Sequence, residues 1–249
     1  MLADRYDAFL FDLDGVVVVG DRPVTGAVET LERLRDRGAQ VRFVTNNSRS
    51  TRESVSDHLE SLGVEAAVEE TFTAASATAA HLADAGASSV YVLGSDGFTE
   101  EMRRHGVRPT EADADAVAVG LARTATYDDL ATATRLVRNG ASFVAANADG
   151  AYPTEEGIAP GTGALVAALR AATGRDATVV GKPEPELFER ALSGVEGRVA
   201  MVGDSRGSDV AGARRVGIDA VLVTEHARED DAGPEPDATV ATPHGLFEE

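Results

Sequence analysis

Cysteine is missing from all 249 residues of the chain, so neither a disulfide nor a thiolate metal site is available to it. Lysine is almost missing: of 23 basic residues, 22 are arginine and one is lysine, Lys182. No run approaches the roughly 18 consecutive apolar residues that a membrane helix needs. The N-terminus also lacks a basic segment followed by an apolar core and a small-residue cleavage site. These absences predict a soluble, cytoplasmic protein with no membrane partner. Positive charge is scarce overall, and 42 acidic residues bring the formal net charge to −19. Such a chain repels nucleic acid, whose binding starts from a basic footprint. The acidic residues are spread along the whole length, which makes the charge a property of the surface. An acidic surface almost without lysine fits a halophilic, salt-rich cytoplasm where ions screen self-repulsion. A GC-rich genome would produce the same arginine bias.

Hydrophobic residues make up 43% of the chain, an ordinary share for a globular protein, and the length allows one large domain or two modest ones. Residues 8 to 12 read as a buried strand that stops on Asp12 and Asp14, with Gly15 free to turn the backbone. Ala27, Leu31 and Leu34 fall at helical spacing, and Gly38 is placed as a stop. The strand Val41 to Thr45 runs into Asn46-Asn47-Ser48, and Thr51 is positioned to cap a helix carrying Val55, Leu59 and Leu62. Small residues from Thr71 to Ala87 predict a helix. A strand at Val90 to Gly94, a short helix at 98 to 105, and βα pairs at 116 to 120 with 127 to 139 and at 142 to 146 with 161 to 172 follow. Gly161-Thr162-Gly163 is either a weak phosphate loop, lacking the Lys-Ser/Thr ending, or a loop that lets a helix pack closely. After Gly174 come the strand leading to Gly181-Lys182-Pro183, a helix over Pro185 to Leu192, a strand from Arg198 to Asp204, a helix over Val210 to Val216 and a strand at Ala220 to Val223. Residues 226 to 237 are polar and proline-bearing and predict a surface loop, with a short final strand near Thr239. The alternation marks an α/β chain with parallel sheets.

Four strand ends or strand-following loops carry reactive groups: Asp12 with Asp14, Thr45, Lys182, and Asp204 with Asp209. In a parallel sheet all strands end on one rim, so residues distant in sequence converge there. Each alone has an ordinary reading as a turn, a cap or a solvated charge. Together they describe carboxylates that would repel one another unless a cation joins them. An all-oxygen set without histidine or cysteine favours a hard ion, Mg²⁺ in particular. Lysine retained where arginine fills every other basic position suits a compact point charge between carboxylates and a phosphoryl oxygen.

Asp12-Leu13-Asp14-Gly15, Thr45-Asn46-Asn47, Gly181-Lys182-Pro183 and the run from Gly203-Asp204 to Asp209 resemble, in order, the four motifs of the haloacid dehalogenase superfamily of phosphohydrolases. The stretch between the second and third motifs, with Asn147-Ala148-Asp149 and Pro160 to Ala164, resembles the large α/β cap of its class IIA branch. Gly207 and the loop at 226 to 237 depart from the family pattern. The resemblance implies a doubly wound, Rossmann-like parallel-sheet core made of residues 1–74 and 178–249, with an inserted α/β cap at 75–177. It implies a Mg²⁺-dependent phosphatase acting on a small phosphorylated metabolite through an aspartyl-phosphate on Asp12, with Asp14 as general acid and base and Lys182 as the charge-neutralising group. Thr45, Asn46 and Lys182 would hold the phosphoryl oxygens. Asp12, Asp204, the main-chain carbonyl of Asp14, and Asp209 behind them would hold the metal. Arg123, Asn147 and Asp149 are candidates for contacting the leaving group, and pairing through the cap would give a homodimer. The alternative is a receiver-like phospho-acceptor module, which also sets acidic residues, a Ser/Thr and a lysine around Mg²⁺ but dephosphorylates slowly.

Overall fold

The computed structural model describes residues 1–154, 157–227 and 232–248. Parts of the expected cap and of the expected 226–237 loop, at 155–156 and 228–231, lie outside the described residues, as does 249. The chain opens with β1 (Ala8–Phe11), the short antiparallel pair β2 (Val18–Val19) and β3 (Arg22–Pro23), α1 (Ala27–Asp36), β4 (Gln40–Thr45), α2 (Arg52–Ser61) and β5 (Thr71–Thr73). Next come α3 (Ala74–Asp84), β6 (Ser89–Leu93), α4 (Asp96–Arg104), β7 (Arg108–Pro109), β8 (Ala116–Val119), α5 (Tyr127–Arg138), β9 (Ser142–Ala145), the hairpin β10 (Ala151–Thr154) with β11 (Gly157–Pro160), α6 (Thr162–Thr173) and β12 (Thr178–Val179). It closes with α7 (Pro185–Leu192), β13 (Val199–Gly203), α8 (Ala211–Val216), β14 (Asp219–Val223) and β15 (Ala238–Val240).

Two compact units result. The first takes residues 1–45, 53–72 and 182–249, and the second takes 46–52 and 73–181. The first unit is built on a six-stranded sheet in the order β15-β14-β13-β1-β4-β5. β1 lies at its centre, parallel to both neighbours, with Phe9 beside Ala200 on one side and Val41 on the other. All four residues of β1 are buried, as expected for a central parallel strand covered on both faces. The chain runs from β1 toward β4 on one side and places β13 on the other. The β1/β13 boundary is therefore where strand order reverses, the place where open α/β sheets bind ligands. Phe9, Phe11, Leu31, Leu34, Phe43 and Leu59 form the heart of this unit's core. α1 buries Ala27, Thr30, Leu31 and Leu34, one stripe of a 3.6-residue repeat, and Gly38 follows it with a left-handed φ of 81°.

The second unit has a five-stranded sheet in the order β12-β9-β8-β6-β7. Every pairing in it is parallel. Its core gathers Tyr91, Leu93, Val117, Val119, Phe143 and Leu169. Thr126 and Asp129 form a capping box at the start of α5, and Gly174, in the left-handed region, ends α6.

Three features differ from the reading of the sequence. Thr71–Thr73 is an extended strand rather than the first turn of a helix, and Thr73 instead caps α3 by accepting the Ser76 N–H. β-Branched threonines flanking an aromatic favour extension over helix. The β10–β11 hairpin was not visible in the periodicity, because Pro153, Pro160 and Gly157 all weaken a strand pattern. The short β2–β3 pair, which leads the chain from Asp14 back toward α1, is too brief to give any period. No helix among the described residues is long and apolar enough to cross a membrane.

Candidate active site

β1 delivers Asp12 to the rim: its N–H donates to the Val202 carbonyl (2.9 Å), extending the ladder one residue past the strand. Its Oδ1 accepts the Leu13 N–H at 2.8 Å. The chain then turns through Gly15, whose φ is +82°. A Cβ there would stand 2.1 Å from Asp204 Oδ2, so glycine is required both by conformation and by the closeness of the second carboxylate. β13, beside β1, carries Asp204 at its end. Gly203 just before it also has no room for a side chain, since a Cβ would meet Asp209 Cβ at 2.3 Å. The Ser205 N–H donates to Asp209 Oδ2 at 3.1 Å. β4, on the other flank of β1, ends in Thr45, which is buried.

Lys182 joins these ends. It is only 2% exposed. Its Nζ lies 2.7 Å from Asp12 Oδ1 and 2.8 Å from Asp209 Oδ1, and it donates to the Val44 carbonyl at 3.0 Å. Two carboxylate oxygens and a carbonyl oxygen thus lie within 3.0 Å of one ammonium. Burial works against its charge, but Asp12 and Asp209 outweigh that and raise its pKa. Lys182 is a cation throughout the neutral range.

The carboxylates remain in excess. Oxygens of Asp12, Asp204 and Asp209 lie within 4.8 Å of one another, and one ammonium cannot neutralise three anions. Burial pushes the Asp12 carboxyl well up; Lys182 opposes this, while Asp209, Asp204 and Asp14 add to it. Burial and then Asp209 push Asp204 up to about 7, against the pull of Lys182. Asp14 is exposed as a residue, yet desolvation at the rim raises its pKa, with Lys182 and then His58 opposing. A hard divalent cation would relieve this crowding. The donors fit one, because all are carboxylate oxygens and the backbone at Gly15 leaves Asp204 against the turn.

The structure therefore brings Asp12, Lys182, Asp204 and Asp209 together in the first unit, with Thr45 at the end of the adjoining strand. Asn46 belongs to the second unit, where its Nδ2 donates to Asp149 Oδ2 at 3.2 Å. Asn147 is buried and donates to the Asn46 carbonyl at 2.8 Å, so its amide is used inside that unit. Asp149 and Arg123 are exposed. Gly161 and Gly163 serve close packing: a Cβ at either would lie 2.2 Å from the Asp149 carbonyl or 2.4 Å from that of Ala148. Two participants escaped the sequence reading, the Val44 carbonyl and the Ser205 N–H. Backbone groups leave no residue-type signal.

Comparison with known proteins agrees with this geometry. Residues 9–108 match the family described as haloacid dehalogenase-like hydrolase, and residues 179–244 match a second family of HAD-like hydrolases. A 5'-nucleotidase of Bacillus subtilis is 37% identical over 239 residues, covering 92% of this chain and 93% of that protein. A D-glycerol 3-phosphate phosphatase of Mycobacterium tuberculosis is 40% identical over 228 residues, covering 89% of this chain and 64% of that one. The crystal structure of a Mycobacterium tuberculosis glycerol phosphate phosphatase in complex with magnesium aligns with a TM-score of 0.92 at 35% identity, over 100% of this chain and 78% of that one.

Proposed function

The chain belongs to the haloacid dehalogenase-like hydrolases, and on that premise we propose that it is a Mg²⁺-dependent phosphatase of small phosphomonoesters, working through a phosphoryl group carried on Asp12. The observation that carries the reading is the convergence of Asp12, Asp204 and Asp209 on the buried ammonium of Lys182. The relatives' names support the substrate class, since one acts on nucleotides and another on glycerol phosphate.

In this scheme an Asp12 carboxylate oxygen bonds to phosphorus as the bond to the leaving oxygen breaks, and Asp14 gives that oxygen a proton. Asp14 then takes a proton from water, whose oxygen bonds to phosphorus while the bond to Asp12 breaks and phosphate leaves. One difficult displacement becomes two easier ones. The raised pKa of Asp14 suits a carboxyl that must carry a proton in the first step. Lys182 offers a fixed positive charge where negative charge gathers, and Thr45 with Asn46 would hold phosphoryl oxygens. Mg²⁺, held by Asp12, Asp204 and the Asp14 main-chain carbonyl with Asp209 beside them, would supply further positive charge to the transferring group.

Residues 75–177 take the part of a cap that selects the leaving group and pairs with a second copy; a monomer by light scattering would remove the pairing. The acidic, lysine-poor surface is read as adaptation to a salt-rich cytoplasm, and a thermal midpoint that falls on adding KCl would contradict that. The test of the function is hydrolysis of p-nitrophenyl phosphate and a panel of phosphorylated metabolites. Turnover should require Mg²⁺ and disappear in Asp12→Asn. An Asp12→Asn variant that keeps substantial activity would overturn the mechanism.

A further inference from the structure

The acidic segment after β14 has no part in the chemistry above, yet its described end, residues 232–237, lies against the turn that carries Asp209. That turn is tightly bonded: the Asp209 N–H donates to the Ser205 carbonyl at 3.0 Å and the Ser208 N–H to the Ser205 hydroxyl at 3.1 Å. Arg206 opens the wide helical turn Arg206–Val210. Gly233 approaches it so closely that a Cβ would stand 2.4 Å from the Arg206 carbonyl carbon and oxygen. Arg206 Nε donates to the Pro234 carbonyl at 3.3 Å, and its guanidinium pairs with the Glu235 carboxylate. The far end of the segment is anchored separately. Arg214 of α8 donates to the Glu235 carbonyl at 3.0 Å and pairs with Asp237 at 3.2 Å. Asp237 accepts the Ala220 N–H at 2.8 Å and donates its own N–H to the Ala220 carbonyl at 2.8 Å.

We propose that Gly233–Asp237 is a strap that positions the Asp204–Asp209 turn, with Gly233 and Glu235 acting through Arg206 to hold these carboxylates where a divalent ion needs them. The inference rests on the reading of the rim as a Mg²⁺ site. Both strap residues are positioning residues, since neither is among the carboxylates that would meet the ion. Their contributions differ in kind. Glu235 is 87% exposed in its side chain, and an ion pair so open is weak and screened by salt. The backbone approach at Gly233 is steric, and salt leaves it unchanged.

Calorimetric titration of Mg²⁺ into the full chain, at low and high KCl, separates the two. Gly233→Ala should weaken Mg²⁺ binding about tenfold at both salt levels, the lower end of what outer partners of a metal site contribute. Glu235→Gln should weaken it about threefold at low salt, the worth of an exposed ion pair, and leave it unchanged at high salt. The thermal midpoint of the metal-free Glu235→Gln variant should stay close to that of the wild type, while Gly233→Ala, whose methyl meets backbone atoms of Arg206, should lower it. Glu235→Gln carries the test if Gly233→Ala does not fold. Wild-type Mg²⁺ affinity in both variants, or a fallen midpoint with unweakened binding, overturns the strap alone. A wild type that binds no Mg²⁺ overturns the strap together with the phosphatase reading.

Discussion

The two units share one architecture and put different things on their rims. In the first, strands β1, β4 and β13 run out into Asp12, Thr45 and Asp204. In the second, β6, β8 and β12 run out into Gly94-Ser95, Gly120 and Val180-Gly181, and β9 runs out into Ala146-Asn147 with Asp149 close behind. That second rim grips a segment of its own chain. The Ser95 hydroxyl donates to the Arg49 carbonyl at 2.6 Å, the Leu121 N–H to the Ser48 hydroxyl at 3.0 Å, and the Asn147 amide to the Asn46 carbonyl at 2.8 Å. A Cβ on Gly97 would lie 2.3 Å from the Arg49 carbonyl, and one on Gly120 would lie 2.9 Å from that of Ser48. The edge of a parallel sheet is thus a general binding edge. Carboxylates and an ammonium suit it to a cation and a phosphoryl group; glycines and neutral donors suit it to a peptide. Fold supplies the place, and the residues decide the occupant.

The comparison breaks most sharply at Lys182. Lys182→Met leaves three carboxylates facing one another without their buried cation. The metal-free chain should lose about 3 kcal/mol in urea unfolding, and nitrophenyl phosphate turnover should drop about 10²- to 10³-fold. A variant with near-wild-type turnover would make the first rim as chemically quiet as the second.

A pH series tests the crowding itself. Asp204, raised to about 7, binds its proton more tightly folded than unfolded. Its contribution to metal-free stability is therefore complete below the ordinary carboxyl value and is lost as pH rises through about 7. Asp12 and Asp14, also raised, act in the same direction. The thermal midpoint gained on adding Mg²⁺ should consequently grow between pH of about 5 and about 8; a gain independent of pH would contradict the crowded-carboxylate account.

The smallest effect belongs to the second rim. Gly97→Ala improves helix propensity by up to about 1 kcal/mol, but its methyl would meet a backbone oxygen that cannot rotate away. Overpacking of that kind costs about 1–3 kcal/mol, so a net destabilisation of about 1 kcal/mol is expected, with turnover changed far less than in the Lys182 variant. An alanine variant as stable as wild type would show that the segment at 46–52 is not gripped there.

Much of this was legible in the residues. An apolar run ending in Asp12, another ending in Thr45 and a third ending in Asp204 mark buried parallel strands by their continuity and the rim by their last residue. Lys182 stood out because arginine fills every other basic position. What escaped were relations without a residue-type signature. Residues 46–52 follow β4 as if running straight into α2, and only hydrogen bonds to these residues and the close approach of Gly97 and Gly120 assign them to the second unit. Asn147 looked free to meet a substrate, whereas burial commits its amide to a carbonyl of its own chain. The strap at 233–237 reads as a polar loop, because its main contact is a backbone approach at one glycine.

In the proposed scheme Asp12 becomes phosphorylated during turnover. Acid-quenching the Asp14→Asn variant, slowed in releasing the group, during reaction with a phosphomonoester and Mg²⁺, followed by peptide mapping, examines it directly. A phosphoryl group on the peptide bearing Asp12, absent when Asp12 is replaced, is the expected result. Label on another residue, or turnover with no phosphorylated chain at any quench time, would contradict it.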